Sequence, residues 1–225
     1  MELRGSARLV DCHPLRVVTL VGLAALVVRS ESPMGKGEVA MTLPIVTVAE
    51  FHLPIQGWAG RCEPTPSKME RPVGGSGTKP SNGFFTCAWD PENHTTAWLE
   101  WCRANSKRNP EAEGRQLWTL TLCESAMLYV VDGLAAFERL VREYPDDQSK
   151  GGLQLPEPNW YKMADPADLA FDGVHITDNA VKAGMGAPSG KGFTGWDVES
   201  TLWFVWSFTS PKCEGPIDRD WNVLR

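Results

Sequence analysis

Strand-like runs recur along this chain without a regular helix between each pair. Thr42 to Leu53, Gly83 to Trp89, Leu117 to Leu122, Ala126 to Val131, Gly173 to Thr177 and the run up to Trp206 are β-branched, aromatic or alternating. Helical spacing of apolar residues appears only over Thr96 to Ala104, Leu134 to Glu143 and Trp160 to Phe171. A parallel sheet needs a crossover, usually a helix, for each added strand. This irregular order therefore predicts one α+β domain with a mostly antiparallel sheet, split or continuous, flanked by a few helices. A chain of 225 residues, 42% hydrophobic, has enough apolar material for one sizeable core.

Glycine and proline punctuate these elements. Pro54 and Gly57 are expected to end the first strand, followed by a basic, Gly-rich loop over 61–82. Further loops are expected over 146–159 and from Gly184 to Gly195, and the tail after Ser207 has no regular period. The first helix should bury Ala97, Trp98, Trp101 and Cys102. The second should bury Leu134, Phe137, Leu140, Val141 and Tyr144, with Asp132 as its N-cap. Asp165-Pro166 resembles an N-cap and first helical position in the third.

Residues 1–40 differ from the rest and are assigned as a leader, with the domain over 41–225. Arg4, Arg8 and Arg16 precede the apolar run Val17 to Val28, which suits the core of a signal peptide. No A-x-A cleavage pattern follows. The second reading is an over-extended reading frame, with Gly37-Glu38-Val39-Ala40 encoded by a ribosome-binding sequence and Met41 as the start. This second reading is preferred.

The net charge of −6 argues against non-specific nucleic-acid binding, which needs a basic face. The six cysteines contain no CxxC pair and read as reduced thiols rather than zinc ligands. His52, His94 and His175 show no metal-ligand spacing, so no metal site is expected. His175, between Val174 and Ile176, reads as a satisfied core or edge histidine. Cys87 or Cys102 with a distant histidine could form a nucleophilic pair on residue type alone. P-loop, G-x-G-x-x-G and G-x-S-x-G motifs are absent.

The stretch Gly195-Trp196-Asp197-Val198-Glu199-Ser200-Thr201-Leu202-Trp203 places two acids just ahead of an aromatic strand. Residues two apart on a strand share a face, so Asp197 and Glu199 are expected to point the same way. Before it come a strand ending in His52, the basic loop, the strand Gly83-Phe84-Phe85-Thr86-Cys87, and a helix carrying Trp98-Leu99-Glu100-Trp101-Cys102. This order, over residues 45 to 206, resembles the ADP-ribosyltransferase superfamily. With Phe171-Asp172-Gly173 it also resembles uncharacterised actinobacterial and phage proteins that carry a GG-L-W-x-S strand, a W-x-x-W-C helix and a Y-D-G segment.

The resemblance implies a split sheet holding NAD, which is consumed as a substrate. It implies that His52, or Arg61, holds the ribose or pyrophosphate side of NAD and that Thr86 is the hydroxyl residue of the second strand. Glu199 would be the late catalytic glutamate, with Asp197 as the first acid of an E-x-E variant. Phe84, Phe85 and Trp196 could stack on nicotinamide or adenine. The activity implied is an ADP-ribosyltransferase or glycohydrolase of toxin or effector type, with a protein or nucleic-acid target. The competing expectation is a non-catalytic, tryptophan-rich module that binds a protein or ligand, marked by an exposed aromatic patch. No membrane span is expected. The expected location is cytoplasmic, or secreted if residues 1–30 act as a signal peptide.

Overall fold

The structure is a computed structural model and describes residues 45–47, 55–73, 79–105, 111–146, 157–185 and 195–225. All of them belong to one compact unit. Nine strands are seen among them: β1 (Ile45–Thr47), β2 (Ile55–Gly60), β3 (Phe84–Asp90), β4 (Thr95–Thr96), β5 (Gln116–Thr121), β6 (Met127–Val131), β7 (Gly173–Ile176), β8 (Ser200–Trp203) and β9 (Lys212–Pro216). The helices are α1 (Ala97–Asn105), α2 (Leu134–Glu143), α3 (Trp160–Met163) and α4 (Asp178–Met185). The sheet runs β1-β6-β7-β8-β3-β2-β5-β9, with β4 beside β3. Among the described strands only β6 and β7 pair in parallel. The domain is therefore α+β with a mostly antiparallel, open sheet.

Strand β3 is the seam of this sheet. Its first residues, Phe84 to Thr86, pair with Trp203 to Thr201 of β8. Cys87 and Ala88 pair with Gly57 and Gln56 of β2, and Trp89 and Asp90 with β4. Alternation along the strands then sorts side chains to two faces. One face carries Tyr129, Val131, Val174, Ile176 and Leu202, covered by Phe137 and Leu140 of α2, Trp160 and Met163 of α3, and Ala180 and Val181 of α4. The other carries Phe84, Leu120, Leu128 and Trp203, closed over by Phe208, Trp58 and Trp206. A third cluster packs Leu99 and Cys102 of α1 on Leu117, Ile217 and Trp221.

Several elements differ from the sequence reading. Gly57 does not stop a strand but lies inside β2, where a Cβ would run into the Thr96 methyl. Within the expected first strand only Ile45–Thr47 is described as strand, and His52 lies outside the described residues. The third helix stops at Met163 instead of running to Phe171. Pro166 disfavours helical backbone at Asp165, whose carboxylate instead accepts bonds from Arg71 and the Ala167 N–H. Asn159, not Asp165, caps that helix. Asp132 does not cap α2: Gly133 holds the N-cap position, and Asp132 accepts from Thr177 Oγ1 at 2.7 Å. Helix α4 forms largely over residues for which no element was expected and ends within the expected loop from Gly184, and strand β9 forms in the tail expected to be aperiodic. In α1, Leu99 and Cys102 are buried, while Ala97, Trp98 and Trp101 are only half-buried.

Candidate functional site

The upper part of the Trp203 face is polar. The β7–β8–β3 register sets His175 beside Thr201 and Thr201 beside Thr86. His175 Nδ1 lies 2.9 Å from Thr201 Oγ1. Thr86 Oγ1 donates to Gln56 Oε1 at 2.9 Å and accepts from the Trp203 indole Nε1 at 2.8 Å. Thr201 Oγ1 approaches the same Gln56 oxygen at 3.5 Å. Gln56, Thr86, His175 and Thr201 are all buried. Leaving one such group without a partner costs about 1–3 kcal/mol, so the bonds that join them are needed merely to offset burial.

Glu199 ends this row. It lies just before β8, and its Oε1 is 3.5 Å from His175 Nε2. Its side chain is 19% exposed, against 3% for His175. The carboxyl is therefore where the buried chain meets the surface. Burial pushes the His175 imidazole down to about 4, with a smaller opposing pull from Asp132. At neutral pH the ring is uncharged, and its approach to Glu199 is not an ion pair. Burial, helped by the negative charge of Asp178, holds the Glu199 carboxyl above its ordinary range. Glu199 Oε1 is itself buried and makes no well-formed hydrogen bond. A neutral imidazole has one donor and one acceptor nitrogen. Nδ1 shares its hydrogen bond with Thr201, whose own O–H is directed at Gln56 Oε1, and the Nε2 end of the ring faces the Glu199 carboxyl.

The remaining candidates fall elsewhere. Asp197 is exposed and, like Glu199, precedes β8, so the expected shared strand face does not exist. Phe85 and Trp196 meet edge to face at 5.8 Å within the cluster under α2–α4. Thr86 is buried with its hydroxyl engaged as donor and acceptor. Arg61 is exposed just past Gly60, at the opposite end of β2 from Gln56. It does not join this row. Cys87 is buried and its thiol pushed up to about 12, mainly by burial, and Cys102 is likewise pushed to about 11. Burial thus keeps both thiols protonated, which disfavours either cysteine as the nucleophile of a cysteine–histidine pair, because nucleophilicity requires thiolate. Five cysteines are described and all are free.

His175, Thr201 and Gln56 were missed as site residues. The available signal was polar residues at inward positions of otherwise apolar strands: His175 in Val-His-Ile and Thr201 in Ser-Thr-Leu-Trp. Among the described residues no group of His, Cys, Asp and Glu could hold a metal, and no helix is long and apolar enough to cross a membrane. Compared with protein-family models, curated proteins and solved structures, the chain matches none.

Proposed function

We propose that the protein cleaves the nicotinamide–ribose bond of NAD and transfers ADP-ribose to a protein or nucleic-acid acceptor, or to water, in the manner of ADP-ribosyltransferases. The observation that carries this reading is the partly exposed Glu199 carboxyl backed by His175. Breaking the bond releases neutral nicotinamide and develops positive charge on the ribose. The acceptor then bonds to that carbon and gives up its proton. A fixed carboxylate that hydrogen-bonds a ribose hydroxyl stabilises the charge as it forms. Burial, with the Asp178 charge, disfavours the ionised form of the carboxyl. A cationic ribose supplies a compensating charge at the moment of reaction.

The strands expected to carry the hydroxyl residue and the late glutamate, β3 and β8, are neighbours in the sheet. The adjacency supports the reading for the strands alone, since Thr86 is buried with its hydroxyl engaged and Glu199 is the residue open to a ligand. The competing reading, a tryptophan-rich binding module, needs an exposed aromatic patch. None of the ten tryptophans is exposed.

Nicotinamide release from NAD by the purified chain tests the proposal. Glu199→Gln should lower release about 10²–10³-fold while the circular dichroism and melting temperature stay near those of the parent. Folded protein that neither binds NAD by calorimetry nor releases nicotinamide would sink it.

A further inference from the structure

Lys79 is a long cation folded inward. Its stem runs over Gly195, where a Cβ would sit 3.2 Å from Lys79 Cβ, and Gly195 holds a positive φ of 84° that favours glycine. The ammonium nitrogen lies 4.7 Å from the Phe85 ring centroid and 5.2 Å from that of Trp196. Asp197, the next residue, adds a favourable negative charge from beyond ion-pair contact. Lysine ammonium groups ordinarily reach for water while their stems cover apolar surface. Here burial lowers the ammonium's pKa, and among the described residues it has no ion-pair partner.

A second observation stands beside the cage. Trp196 is buried, and among the described residues its indole Nε1 has no hydrogen-bond partner. A buried donor left without an acceptor is costly. The two ring faces and the nearby carboxylate suit a cation, and a ligand that also reaches the edge of the same indole can offer an oxygen to its in-plane Nε1–H. An alkylated ammonium is more weakly hydrated than the lysine head, so it loses less on entering the same aromatic faces.

We propose that Phe85, Trp196 and Asp197 form a binding site for an organic ammonium ion bearing a hydroxyl or carbonyl oxygen, and that Lys79 fills this site in cis when the ligand is absent. The proposal does not rest on Glu199 or on NAD. Its test contains no NAD, so its failure and that of the glutamate reading are separate results.

Choline is the probe, titrated against tryptophan fluorescence, with its uncharged isostere neohexyl alcohol as control. Lys79→Ala opens the cage. It should bind choline about tenfold more tightly than the parent chain and about tenfold more tightly than it binds the alcohol. Adding Asp197→Asn should remove the preference for choline, and adding Phe85→Ala should weaken binding of both probes. If the alanine variant fails to fold, Lys79→Met keeps the stem and removes only the competing charge. It should still bind choline more tightly than the parent. A folded Lys79 variant with no saturable response to choline would overturn the proposal. Equal affinity for choline and the alcohol would overturn it too, since the site would then be an apolar hole.

Discussion

Gln56 and Thr86 should be energetically coupled, and a double-mutant cycle measures by how much. Thr86 already accepts from Trp203 Nε1, so its own proton needs an acceptor, which is Gln56 Oε1 at 2.9 Å. Gln56→Leu strands that buried proton, at about 1–3 kcal/mol. Thr86→Val strands two groups, the Trp203 N–H and the share of the Gln56 oxygen it served, at about 1–3 kcal/mol each. With both changes only the Trp203 N–H is left without its partner. The sum of the single losses should therefore exceed the double loss by the two groups that the double variant does not strand, about 2–6 kcal/mol. Any other contact of Gln56 is lost equally in its single and double variants and cancels. Urea unfolding of the four proteins, with midpoints compared at constant m, gives the energies. Losses that add to within about 0.5 kcal/mol would refute the buried chain as a coupled unit.

The remaining predictions concern titration and thiol access. His175 is held at about 4 in the folded chain, against an ordinary 6.5 once unfolded. Its contribution to stability is complete above the unfolded value and is lost as pH falls from 6.5 towards 4, by roughly 3 kcal/mol. Glu199, raised by burial, works in the opposite direction, gaining relative stability as pH falls. The Glu199→Gln background therefore isolates the histidine: adding His175→Asn should flatten the loss between neutral and acid pH, and parallel curves would refute the assignment. Among the described thiols, exposed Cys62 and Cys213 should react first with a disulfide reagent. Cys87 and Cys102 should stay silent until unfolding, and peptide mapping that finds Cys87 labelled before Cys62 would contradict its burial.

Elements whose own side chains announce their environment were legible in the sequence. Strands β5 to β7 and helix α2 fall within a residue or so of the expected spans, because strict alternation or a helical stripe is enforced by burial on one side. Strand β9, Lys-Cys-Glu-Gly-Pro, has no such stripe and is largely exposed. It exists because the edge of β5 offers unpaired backbone groups, a condition set by residues far away in the chain. Helix α4 is started by Thr177 Oγ1 accepting from the Ala180 N–H. In the sequence that threonine looked like the end of β7. The site divides in the same way. Glu199 was visible as an acid beside an aromatic strand, whereas its partner His175 depends on a β7–β8 register that pairs His175 with Thr201, 26 residues further on.

A polar row inside a sheet has a second use besides chemistry, and the two can be told apart. Sliding β8 by one residue would turn Thr201 and Trp203 towards the helices and bring Ser200 and Leu202 to the other face. His175 would lose Thr201, and Thr86 would lose the Trp203 indole, so the row penalises a slipped register by several unpaired buried groups. Register alone accounts for Gln56, Thr86, Thr201, His175 and Trp203. It does not account for Glu199, which lies outside β8, pairs with no strand and is partly open to solvent. A register device has no need of a dehydrated carboxyl at its outer end. Glu199→Gln consequently separates the two roles, since it leaves every bond of the row in place and changes only the charge available to a ligand.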